Sequence, residues 1–153
     1  MIEKNLKAHI QHPEMLADTL QVDIVSVEKS IFSGRAKMLV VSGDEGELGI
    51  LPGHSPLLTS IKPGEVRLIA LDGSEECFYV SGGFIEVQPE IVTILADTVV
   101  RAEDVDEERA VAAKEKAEKI LASKKPDDYT EALVELTKAL AQIRIAGKWH
   151  KRK

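Results

Sequence analysis

Residues able to do covalent or metal chemistry are few in this chain and poorly spaced for it. The stretch Gly43-Asp44-Glu45-Gly46-Glu47-Leu48-Gly49 is glycine-rich. It is also acidic, and it lacks the Gly-Lys-Ser/Thr ending with which a phosphate-binding loop holds its anion, so it would repel phosphate. Ser81-Gly82-Gly83 does not make a nucleophile elbow, which needs a glycine two positions to either side of the serine. His9, His12, His54 and His150 are scattered, and no acid or cysteine sits near them at metal-ligand spacing. His54 has Ser55 beside it, but nothing in the order of residues builds a triad. Cys77 lies inside an apolar run and reads as a core residue rather than a nucleophile. These patterns predict no catalytic residue and no metal site.

Composition narrows the class further. The 153 residues are 44% hydrophobic, enough for one substantial core, while aromatics are only 4%, so that core must be built from Val, Ile, Leu and Ala. A single cysteine excludes an intramolecular disulfide. Apolar runs such as Ile94-Leu95-Ala96 are broken by Asp97, so no membrane-spanning helix is expected, and the charged start does not read as a signal peptide. Residues 1–103 carry 16 acids against 8 bases, whereas residues 104–153 carry 10 acids against 12 bases. An acidic body argues against nucleic acid. The basic end, finishing in Lys148, Lys151, Arg152 and Lys153, serves either as a solubilising tail or as one that docks on an acidic partner.

The pattern divides the chain into a leader over 1–18, expected to be flexible, a β region over 19–101 and a helical region over 102–153. In the β region Leu20, Val22 and Ile24 alternate with polar residues, and the phase then slips to Val25 and Val27, which predicts a bulge. Met38–Val41 reads as a strand covered on both faces. Asp72-Gly73 reads as a hairpin turn, because both residues tolerate positive φ. Further strands are expected over Cys77–Val80, Phe84–Val87 and Ile91–Ala96. Many short strands with frequent turns predict an antiparallel sandwich.

Helical language begins at Asp104, which is expected to cap a helix with Glu107 at its third position. Ala110, Ala113, Ala117, Ile120 and Leu121 share a face, and Glu115 and Lys119 are spaced to pair. Lys124-Lys125-Pro126 is expected to stop this helix. Asp128 would cap a second, with Leu133, Leu136, Leu140 and Ile143 as its apolar stripe and Gly147 at its end. The fold class is therefore β then α, an N-terminal antiparallel β-sandwich followed by a two-helix antiparallel hairpin. Alanine buries little area, so the hairpin should dock weakly and is a candidate moving part.

Three collinear stretches carry a resemblance. The run from Gly46-Glu47-Leu48-Gly49-Ile50-Leu51-Pro52-Gly53-His54 through Ile61-Lys62-Pro63-Gly64, the segment Tyr79–Val87, and Val105-Asp106-Glu107-Glu108-Arg109-Ala110 closely resemble the epsilon subunit of bacterial F-type ATP synthases. The resemblance implies a non-catalytic rotor subunit at the cytoplasmic face of the bacterial inner membrane, peripheral and held there only through the complex. Its partners would be the gamma subunit, the c-ring loops and, through the C-terminal helices, the alpha/beta catalytic hexamer. By the same resemblance Glu47 and His54 would face the c-ring. Arg144 and Lys148 would lie in an arm that extends to block ATP hydrolysis. Two helices of roughly 18 residues, laid end to end, would reach about 50 Å. Asp106, Arg109 and Ala110 match a motif with which some members bind regulatory ATP. Lys138 and Gln142 stand where those members carry arginines, and Val100 stands in place of an acid, so any ATP contact is expected to be weak. The alternative is a free-standing β-sandwich adaptor with a helical arm.

Overall fold

A computed structural model describes residues 18–43, 45–123 and 125–150. The expected leader, with His9 and His12, therefore lies outside the described residues except for Asp18, as do Lys151, Arg152 and Lys153.

Among the described residues the chain forms nine strands and then two long helices. The strands are β1 (Leu20–Ser26), β2 (Ser30–Ala36), β3 (Met38–Gly43), β4 (Gly46–Ile50), β5 (Leu57–Ile69), β6 (Glu75–Val80), β7 (Gly83–Val87), β8 (Ile91–Ala96) and β9 (Val99–Arg101). A 3-10 turn, Ala102–Asp104, leads into α1 (Glu107–Ala122) and α2 (Pro126–Trp149).

The 13-residue β5 joins the layers. Its first half pairs with β7, Leu57 opposite Val87, and its second half pairs with β6, Gly64 opposite Val80. Pro63 sits between the halves, where a residue without an N–H removes no ladder bond that either partner needs. One layer runs β2-β1-β8-β7-β5, and the other β4-β3-β5-β6-β9. Between them Leu20, Val22, Ile24, Leu39, Val41, Val66, Leu68, Phe78, Ile85, Val92 and Ile94 form one closed core. Phe32 meets Phe78 edge to face at 5.9 Å inside it.

The expected bulge is present: the β1–β2 register slips between Ile24 and Val25. The Asp72-Gly73 turn closes the β5–β6 hairpin, with Gly73 at φ +88° and its N–H donating to the Ala70 carbonyl. Ser74 donates both its N–H and its hydroxyl to Asp72, which holds that carboxyl below its usual range.

Several local expectations need correction. The sheet is not wholly antiparallel, because β1 and β8 pair in parallel. A strand that was not among those expected, β9, ends the β region and pairs with β6. Asp104 ends the 3-10 turn, and Asp106 is the true cap of α1, accepting the Arg109 N–H at 3.1 Å. Val105 between them is buried with an extended backbone, and the helix starts two positions later than expected. Pro126 begins α2 as its first residue, where its missing N–H has no partner to lose, so Asp128 is not the cap. α2 continues through Gly147 to Trp149. The ion pair on α1 is Lys114 with Glu118 at 3.7 Å rather than Glu115 with Lys119.

The inward face of α2 also differs from expectation. Leu133 and Leu140 are exposed and Leu136 and Ile143 only half-buried, whereas Ala132, Ala139 and Ala146, seven residues apart, are buried. Ala110 and Ala117 of α1 repeat that spacing and burial. Alanines let two helices approach closely, so the small stripe packs and the leucine stripe is left outside.

Candidate functional site

The hairpin meets the sandwich on the outer face of β5 and β6. Alternation sends Val66, Leu68, Phe78 and Val80 into the core and turns Glu65, Arg67, Cys77 and Tyr79 outward. Glu65 stands opposite Tyr79, and Arg67 opposite Cys77. Above them lie Ala141, Ile145 and Ala146 of α2, with Trp149 packed against the edge. Together with Ala102 and Val105 they form a second, smaller apolar cluster, separate from the sandwich core.

One carboxylate organises the polar part of this interface. Glu65 Oε1 receives the Cys77 thiol at 3.3 Å, the Trp149 indole N–H at 3.3 Å and the Lys148 ammonium at 3.4 Å. Burial pushes the Cys77 thiol up, and the adjacent Glu65 charge and hydrogen bond add to the rise, so it remains a protonated donor. The phenol of Tyr79, pushed up to about 12 chiefly by burial, faces Gln142.

The expected site residues fall in three places. Glu47 lies in β4 opposite Ser42, its side chain 69% exposed and its carboxylate 4.0 Å from Arg67. It shares a small cavity of about 70 Å³ with Glu65, Arg67 and Lys148. His54 lies beyond the other end of β4, in a turn whose Gly53 N–H donates to the Pro89 carbonyl. Its Nδ1 is 2.7 Å from the Ser55 carbonyl oxygen, which accepts a hydrogen bond from it. Lys148, expected in the inhibitory tail, is paired with Glu65, while Arg144 on the same helix is exposed.

Asp106 and Arg109 line a cleft of about 380 Å³ between the 3-10 turn, α1 and α2, with Val100 and Gln142. Ala110 is buried, and Lys138 is drawn to Glu135 at 3.7 Å on its own helix. Asp104, Asp106 and Glu135 put three carboxylates around the cleft against the one guanidinium of Arg109. That balance disfavours a polyphosphate. Among the described residues no cluster of His, Cys, Asp and Glu could hold a metal, and no helix is long and apolar enough to cross a membrane.

The sequence reading missed Glu65 and Trp149. An acid at an outward strand position looks solvated until the covering element is known. The chain's lone tryptophan, in the last turn of α2 and next to Lys148, was the available signal.

Comparison with known proteins agrees with this architecture. Residues 19–102 match the family described as ATP synthase, Delta/Epsilon chain, beta-sandwich domain, and residues 103–147 match its long alpha-helix domain. A chain of the Euglena gracilis mitochondrial ATP synthase, from the OSCP/F1/c-ring structure, has a similar fold. Its TM-score is 0.76 at 21% identity, covering 81% of this chain and 79% of that one. A chain from the central stalk/c-ring structure of the Tetrahymena thermophila mitochondrial ATP synthase is similar at TM-score 0.47 and 15% identity, over 56% of this chain and 69% of that one. With both segments of the family matched in order across the sandwich and the hairpin, the chain belongs to the ATP synthase delta/epsilon family, the non-catalytic subunits of the enzyme's central stalk.

Proposed function

We propose that this chain is the epsilon subunit of a bacterial, proton-translocating ATP synthase, peripheral on the cytoplasmic face of the membrane. Its sandwich (19–101) couples the gamma subunit to the c-ring, and its hairpin (102–153) leaves the sandwich to inhibit ATP hydrolysis. The observation that carries the second part is the orientation of α2. Its alanines face the protein while Tyr129, Leu133, Val134 and Leu140 are 44–51% exposed. A helix docked by its small residues keeps its larger apolar surface for a different partner. Arg144 and Lys148 then belong to the part of the arm that meets an acidic segment of the catalytic hexamer.

The outer face of the other layer supports a seat on gamma. Phe84 and Leu95 are cross-strand neighbours and share that face with Leu58, and the three are 57–72% exposed. Glu47 and His54 are proposed for the polar loops of the c-ring, at two separate points, one in β4 and one in the turn beyond its end.

The substitution Phe84→Asp tests the seat. The side chain points away from the core, so the isolated chain should keep its melting temperature, while capture of gamma with the catalytic hexamer falls by about tenfold or more. Undiminished capture would remove this face from the proposal. Absence of capture by the wild-type chain would favour a free-standing adaptor.

ATP binding to the isolated chain should be weaker than micromolar, given the carboxylates around the Asp106–Arg109 cleft. Isothermal calorimetry checks this, and the double substitution Lys138→Arg with Gln142→Arg should tighten whatever binding is seen. Micromolar affinity in the wild type would contradict the reading.

A further inference from the structure

We propose that Glu65 is a clasp that decides how often α2 leaves the sandwich, and that an acidic partner releases it by competing for Lys148. The proposal rests on the mobile-hairpin reading above and adds the residue that sets its balance.

The geometry is specific. Glu65 sits on the outer face of β5, where the sandwich core has no use for it, with its side chain 22% exposed. Two of the three donors converging on its Oε1, the Lys148 ammonium and the Trp149 indole, come from the last turn of α2. The third, the Cys77 thiol, belongs to the sandwich floor beneath. Apart from these, the buried side chains with which α2 meets the sandwich are Ala141, Ile145 and Ala146. Two alanines and an isoleucine bury little apolar area, so a charge-assisted cluster is a large share of what holds this end down.

The clasp is also placed where it can open. Val105 and Asp106 tie the start of α1 to the sandwich through the chain itself. The end of α2 is the part whose attachment depends on side-chain contacts. On release Glu65 regains water at little cost, because it is already partly exposed. Lys148, freed of one carboxylate, is then available to another. Lys148 rides on α2, so its ammonium cannot lie at Glu65 and at a partner away from the sandwich at once, and the two states exclude each other by position.

Cys77 gives a native reporter. It is the chain's single cysteine, 4% exposed beneath α2, so a maleimide reaches it only when the hairpin lifts or the sandwich unfolds. In the full-length chain, labelling should rise with urea less steeply than global unfolding does, the mark of a partial opening. Lys148→Met and Trp149→Phe should each speed labelling about fivefold or more, with global unfolding unchanged. Glu65→Gln should do the same. It is the weaker test, because removing the carboxylate also makes a docked thiol easier to ionise. Lys148→Met works in the opposite direction on the thiol, so its acceleration reports opening. Partial opening that none of the three variants accelerates would overturn the clasp and leave the mobile hairpin standing. Labelling that follows global unfolding alone would overturn both.

Discussion

Gly83→Ala should cost the sandwich about 3 kcal/mol or more, a far larger loss than alanine at the turn glycine Gly73. Gly83 opens β7 at φ +145° opposite Ala96 of β8. A Cβ there would run into the Leu95 carbonyl oxygen and approach the Ala96 Cα to 2.9 Å. Both obstacles are backbone of the paired strand, which cannot move aside without parting the ladder that also carries the parallel β1–β8 pairing. Gly73→Ala is the internal control. Gly73 also has positive φ, at +88°, but no atom lies within 4 Å of its added Cβ. It should lose only the left-handed strain of about 1–2 kcal/mol. Urea unfolding of the two variants measures the difference. Equal losses would mean that the β7–β8 contact yields and the clash is relieved.

Much of the β region was legible because its cues are local. The phase slip at Ile24–Val25 and the Asp72-Gly73 turn are each written in a few adjacent residues, and both appear as read. The parallel pairing of β1 with β8 was not legible, since it depends on which distant strand arrives alongside. β9 was hidden for a related reason. Val99–Arg101 is too short to display a period, and it is a strand because β6 offers it an edge.

The hairpin shows what periodicity withholds. α2 carries a leucine stripe and an alanine stripe, and spacing identifies both without saying which one packs. The leucines were expected inside on hydrophobicity alone. The close approach of α1, with Ala110 and Ala117 buried against α2, selects the alanines instead. At the site, Glu47 and Lys148 were assigned to different partners from the resemblance, yet they line one small cavity. Only tertiary structure brings β4 under the end of α2, and only there does Glu65 become more than a solvated acid.

Removing the hairpin gives the largest functional effect expected of this chain. A cut after Ala102 keeps β9 and spares the sandwich core, whose residues all precede the cut. It uncovers the second cluster, leaving Cys77, Tyr79 and Val100 facing water, so the truncated domain should be stickier but folded. Under the proposed function the seat on gamma and the c-ring contacts survive, while the inhibitory arm is gone. The most direct measurement is the ATPase rate and proton pumping of membranes carrying full-length or truncated chain in the otherwise intact complex. The account predicts unchanged assembly and pumping with ATP hydrolysis raised severalfold. Hydrolysis that stays at the full-length rate in a fully assembled complex would contradict it.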